Sequence, residues 1–159
     1  MTIEGEPTKF GHTGYVSTGG THLDANVANT LYALIGIRIK TTHAGAVVVP
    51  IKVTVLSETN DDFEWVLMIN PTVAGTFTYA DVTDETIQLA LGATANTVTG
   101  GHPLDGGFVA QQSTVVGNFD ETKNIGFAID GTQDELVLCV RPLSANADIQ
   151  GSLSYNELS

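Results

Sequence analysis

Apolar residues in this chain recur at every second position, in one segment after another. In NTLYALIGIRIK (29–40), Ala33, Ile35, Ile37 and Ile39 fall on one face of an extended chain, with Tyr32, Leu34, Arg38 and Lys40 on the other. That is the pattern of a half-buried strand. AVVVPIKVTVL (46–56) repeats it, with Val47, Val49, Ile51, Val53 and Val55 sharing a face. THAG (42–45) supplies a turn between the two, so a long hairpin is expected. Pro50 has no N–H to give a ladder, which makes this strand an edge or bulges it there.

Further along, DFEWVLMIN puts Phe63, Trp65, Leu67 and Ile69 inward and Glu64 outward. TFTYADV sets Phe77 with Tyr79, and ETIQLAL groups Ile87, Leu89 and Leu91, although Asp84 offers a cap for a short helix instead. LDANVANTLYAL also admits a helical reading through Leu23, Val27, Leu31 and Leu34. GFVAQQ, NIGFAID, DELVLCVRPL and ADIQGSLSY add short strands, the last with Ile149, Leu153 and Tyr155 on one face. The glycine-rich stretches 11–22 and 92–107 read as loops or arms. Many short strands with turn signals between them and no alternating helices define an all-β protein, an antiparallel β-sandwich open to jelly-roll connectivity. Residues 1–24 are expected to form an N-terminal arm and residues 25–159 a single sandwich domain, a size that one hydrophobic core can serve.

The stretch IDGTQDELVLCVRPL (129–143) joins a tight-turn pair, Asp130-Gly131, to five uninterrupted apolar residues, Leu136 to Val140. A run apolar on both faces belongs to a central strand that is covered on both sides, by the opposite sheet and by a loop or another subunit. Cys139, the chain's one cysteine, can form no internal disulfide and reads as a small buried hydrophobe.

Six basic residues against 18 acidic give a net charge of −12, which repels phosphate backbones and anionic lipid headgroups. Neither nucleic acid nor a membrane is an expected partner. No basic-then-apolar leader opens the chain, and the apolar runs are too short for a spanning helix. Charged residues make up only 15% of the sequence, low for a free domain, so partners are expected to cover part of its surface. Between Asp24 and Glu58 there is no acid, yet Arg38, Lys40 and Lys52 lie there. These three are the candidate protein-docking residues, and the plainer alternative is a solvated outer face.

Chemistry finds little foothold. Asp61, Asp62 and Glu64, then Asp81, Asp84 and Glu85, then Asp130, Asp134 and Glu135 are carboxylate clusters in loops, and none has the ligand spacing of an EF-hand. They read as solvated turns, with a calcium-holding loop as the alternative. His12, His22, His43 and His102 show no zinc-binding spacing, and neither a GxSxG elbow nor a phosphate-cradling loop is present. No catalytic residue, metal or cofactor is expected, and the chain is not expected to be an enzyme.

Taken together, IGIRIK, VVVPIKVTVLSETNDDFEWVLMINPTVAGTFTY and IDGTQDELVLCVRPLSANADIQGSLSYNEL resemble the strand and turn phrases of small β-rich virion structural proteins of tailed bacteriophages, over residues 29 to 158. The resemblance implies assembly in place of catalysis. It points to a capsid decoration or cement protein on the exterior of the virion, with the major capsid protein or another virion protein as partner. It also implies a homo-oligomer, a trimer by preference, because capsid lattices offer three-fold positions. A tail, head-fibre, or receptor- or carbohydrate-binding β-sandwich component is the alternative, and it would need exposed aromatics such as Tyr32, Tyr79 or Phe108 to stack on sugar rings.

Overall fold

The computed structural model describes residues 12–43, 45–59, 61–83, 85–110, 114–118, 133–144 and 147–158. Thirteen strands are present among them: β1 (His12–Ser17), β2 (Leu23–Ala25), β3 (Tyr32–Ile39), β4 (Val47–Ser57), β5 (Phe63–Ile69), β6 (Thr72–Val73), β7 (Ala80–Asp81), β8 (Ile87–Leu91), β9 (Val98–Thr99), β10 (His102–Val109), β11 (Thr114–Asn118), β12 (Glu135–Pro142) and β13 (Ala147–Leu158).

Two antiparallel sheets face each other. The first runs β1-β13-β4-β11, with β2 paired to the start of β13, and the second runs β10-β5-β12-β3-β8-β7. From β3 to β4 to β5 the chain changes sheet at each step, β10 returns beside β5, and β10 to β11 to β12 to β13 alternates again. This strand order is that of a jelly roll, two interlocked Greek keys, with β6 to β9 inserted between β5 and β10. The expected β-sandwich is present, and its connectivity is settled by the pairing.

Between the sheets lie Leu34, Ile35, Ile37, Ile39, Val53, Val55, Phe63, Trp65, Leu67, Leu136, Leu138, Ile149, Leu153 and Tyr155, all buried. Trp65 points inward as expected. So does the face of β13 formed by Ile149, Leu153 and Tyr155.

Four expectations are corrected. The hairpin across THAG does not form: β3 is flanked by β12 and β8, and β4 by β13 and β11. A short 3-10 turn, Thr41–His43, carries the chain from one sheet to the other. The reason lies in β3 itself, which is buried on both faces and belongs in the covered middle of a sheet, whereas β4 exposes Lys52 and Leu56.

Second, the alternation changes phase within strands. Leu138 pairs with Ile35 and Cys139 with Ala33, leaving Leu34 as an extra residue. Past this bulge Tyr32 and Leu34 face the inter-sheet core, and Ala33 joins Met68, Val98, Val137 and Cys139 on the outer side. The same happens in β4, where Ser154 pairs with Lys52 and Tyr155 with Pro50, so Ile51 bulges and the core side chains are Ala46 and Val48 before it, then Val53 and Val55. The expected irregularity at Pro50 is therefore a bulge.

Third, the glycine-rich stretch 11–22 is no arm from His12 onward. β1 pairs residue for residue with β13, burying Val16, and β2 buries Leu23 and Ala25. Residues 1–11 lie outside the described residues.

Fourth, 92–107 is structured. β9 pairs with β6, and β10 pairs with β5 along the edge of the second sheet. Asn96 organises this region: its side-chain nitrogen donates to the Ala74 and Thr76 carbonyls at 2.8 and 3.0 Å, and its side-chain oxygen accepts from the Ala93 N–H at 2.9 Å. The β6–β9 ribbon and Phe77 are thereby held over Ala33, Met68, Val137 and Cys139. That cover explains the uninterrupted apolar run in β12, which lies between β5 and β3. The neighbouring Asp130-Gly131 turn and the strand expected over 124–130 fall outside the described residues. No helix of the described residues is long and apolar enough to cross a membrane.

Candidate functional site

Strand alternation sends the odd residues of β13 into the core and the even ones outward, so the first sheet presents a broad outer face. From β13 it carries Gln150, Ser152, Ser154 and Asn156; from β1, Thr13, Tyr15 and Ser17; from β4, Lys52, Thr54 and Leu56. Tyr15 is 65% exposed and Leu56 36%. Among these residues there is no carboxylate, and Lys52 is the single charge. Short hydroxyl and amide side chains leave a shallow groove of about 360 Å³ between Tyr15, Thr54, Leu56 and Ser152. Gln150 ties the face to its surroundings, accepting from the Thr18 hydroxyl at 3.1 Å and donating to Glu58. A flat, partly aromatic surface with a single charge on an acidic protein suits contact with another protein, because charges are depleted and tyrosine is enriched at the centre of such interfaces.

The second sheet offers a different shape. On its outer side a cleft of about 940 Å³ is floored by Leu31, Val66, Met68 and Val98 and walled by Pro103, Leu104 and Asp105. Glu64 and Arg141 face each other across β5 and β12, and the Arg141 Nε donates to Glu64 Oε1 at 2.9 Å. Its lining contains no aromatic side chain.

The three candidate docking cations are not brought together. Arg38 lies on the outer side of the second sheet, where its Nε donates to Gln88 at 2.7 Å, its Nη1 stands 3.5 Å from Glu135, and its guanidinium lies 4.4 Å over the Tyr79 ring. Burial pushes the Tyr79 hydroxyl far above its usual range, Glu135 adding to the effect and Arg38 opposing it. The Lys40 ammonium donates to the Val82 carbonyl at 2.9 Å. Both side chains therefore serve intramolecular contacts. Lys52 sits on the other sheet and is exposed.

Several loop carboxylates accept hydrogen bonds from protein donors. Asp61 accepts from Ser144 at 2.6 Å, Asp81 from Gln88 at 2.9 Å, Asp134 from Asn70 at 3.0 Å and Glu85 from Tyr155 at 2.7 Å. Asp84 and Asp130 lie outside the described residues. Of the histidines, His43 accepts or donates a 3.0 Å contact with Thr42, and His102 is exposed at the start of β10. His22 is different: it stands within a group of acids drawn from distant parts of the chain. Cys139 is fully buried, and desolvation raises its thiol far above the ordinary range.

The described residues thus define a jelly-roll β-sandwich with an outer face poor in charge and a cleft with an apolar floor. Comparison with family models, with characterised proteins and with solved structures found no match to this chain.

Proposed function

We propose that this chain is a virion structural protein, a decoration or cement protein that binds the exterior of an assembled phage head. The observation that supports a docking role is the outer face of β1, β13 and β4, which carries Lys52 and no carboxylate between Gln150 and Asn156, on a chain of net charge −12. Between Gln150 and Asn156 an acidic partner surface meets no like charge from these strands, and Tyr15 and Leu56 supply apolar contact area. The capsid as partner comes from the sequence resemblance. The work such a protein performs is mechanical: a ligand that binds only the closed shell stabilises it by about 2.7 kcal/mol per site at a hundredfold excess over Kd. Repetition over a symmetric lattice multiplies that term, and a trimer matches the three-fold positions.

The receptor- or sugar-binding reading has less behind it. Tyr32 is buried and Tyr79 lies under Arg38, so with exposed Phe108 they form no common platform for sugar rings.

The test is co-sedimentation of the purified protein with undecorated heads, with copy number read from the saturated particle. Saturation in the hundreds, weakened at least tenfold by combining Tyr15→Ser with Lys52→Glu, is the expected result. Absence of binding by the unaltered protein, or a copy number of a handful in native particles, overturns the decoration role.

A further inference from the structure

Three segments far apart in sequence converge at one end of the same outer face. Asp24 on β2 is directly opposite Asp148 on β13, a like-charged cross-strand pair that is unfavourable on its own. His22 reaches into this pair from just before β2. Its Nε2 is 3.1 Å from Asp24 Oδ1 and 3.6 Å from Asp148 Oδ2. Its other nitrogen, Nδ1, is 3.1 Å from Glu58 Oε1, just beyond the end of β4. Glu58 is itself held, through its second oxygen by the Gln150 side chain and through its N–H, which donates to the Asp148 carbonyl at 2.8 Å.

The chemistry of the imidazole decides what this arrangement asks for. A carboxylate can only accept, so the contact with Glu58 places the ring proton on Nδ1. Nε2 faces two further carboxylates, where either a second ring proton or a bound cation supplies the positive charge between the three groups. A donor set of one imidazole nitrogen and two carboxylate oxygens, all within 4.8 Å of one another, is one that a divalent ion accepts. Around a tetrahedral ion with bonds of about 2.1 Å, donors stand roughly 3.4 Å apart, the range of the two Nε2 separations. The Glu58 contact is compatible with such an ion, since a metal-bound histidine characteristically gives its other N–H to a carboxylate, which fixes the ring and makes it a better ligand.

The geometry points to a divalent transition-metal site, zinc by first preference, formed by His22, Asp24 and Asp148 with Glu58 orienting the histidine. Three protein donors leave a fourth position for water. The ligands sit on or beside paired strands, and the ion clamps β2 to β13 at one end of the outer face. The nitrogen donor disfavours calcium and magnesium, which take oxygen. This site does not depend on the virion reading.

Zinc chloride and cobalt chloride, added separately to chelator-treated full-length protein, test it. Calorimetry should give one zinc per chain, and Tm should rise by roughly 5 °C at a hundredfold excess over Kd. Cobalt should give visible absorption that zinc abolishes. His22→Gln should lose binding by at least a hundredfold, with Asp148→Asn as the second variant if the first folds poorly. Glu58→Gln, which touches no metal, should weaken zinc about 10- to 100-fold. An unchanged Tm in millimolar zinc overturns the site, and so does wild-type affinity in both His22→Gln and Asp148→Asn, which would place the ion elsewhere.

Discussion

The hydroxyl of Tyr155, on β13 of one sheet, donates a 2.7 Å hydrogen bond to Glu85 Oε1, in the turn between β7 and β8 of the other. Two residues on, Glu157 accepts from the Thr86 N–H at 2.6 Å and from the Thr86 hydroxyl. The two sheets are therefore joined at this end by polar groups as well as by the core. Desolvation, then the Glu85 carboxylate, holds the Tyr155 hydroxyl far above its usual value of 10.0. The folded chain keeps that proton when the unfolded chain gives it up, so its stabilising contribution is complete below about pH 10 and declines above it. Tm measured from pH 8 to 11.5 should fall at the alkaline end, and Tyr155→Phe should flatten part of that fall while costing about 1 kcal/mol at neutral pH.

Asn96 is the polar pin of the inserted region. Removing its side chain leaves the Ala74 and Thr76 carbonyls and the Ala93 N–H without their partner. Asn96→Ala should cost about 3 kcal/mol by urea denaturation, and hydrogen exchange should show the loss concentrated in β6 and β9 before the central strands.

The central strand β12 supplies its own reporter. Cys139 is inaccessible, so a thiol reagent should label it only through opening of the fold. Leu138→Ala, at a fully buried position, should destabilise by about 2 to 5 kcal/mol and speed labelling from about 30-fold to several thousandfold. Rapid labelling of the unaltered protein in native buffer would contradict the burial of this strand.

Strand β1 carries Val16 into the core and completes six pairings with β13. A chain starting at Leu23 should therefore lose cooperative unfolding or drop sharply in Tm. Circular dichroism melts would decide, and a truncated protein as stable as the whole would mean that β1 is dispensable.

The period-two pattern was readable because strand side chains alternate, and so were the inward Trp65, the buried Cys139 and the covered run of β12. The phase changes at Leu34 and Ile51 were not. A bulge adds one residue to one strand, and nothing in a single row of apolar residues marks where the partner slips. The signal against the hairpin was present in β3, whose nominally outer Tyr32 and Leu34 are too apolar for an exposed face. The stretch 11–22 was misjudged because glycine and threonine say turn locally, while the ladder that makes β1 a strand comes from β13 at the far end of the sequence. His22, Asp24, Glu58 and Asp148 were invisible as a group for the same reason: no spacing encodes a contact made by sheet pairing. Arg38 and Lys40 were legible as cations but not as consumed ones.

The place of β13 sets when this molecule can come into being. β1, β2 and β4 all pair with it, so the first sheet has no middle until residues 147–158 have been made. During synthesis β1 and β4 must wait on the ribosome side by side with nothing between them. The chain is thus committed to folding late and as a whole, at the millisecond-to-second pace of non-local β pairing. A ribosome stalled before Ala147 should hold a chain that proteases digest readily, whereas the whole chain followed by an added linker long enough to bring Leu158 out of the ribosome should be a resistant domain.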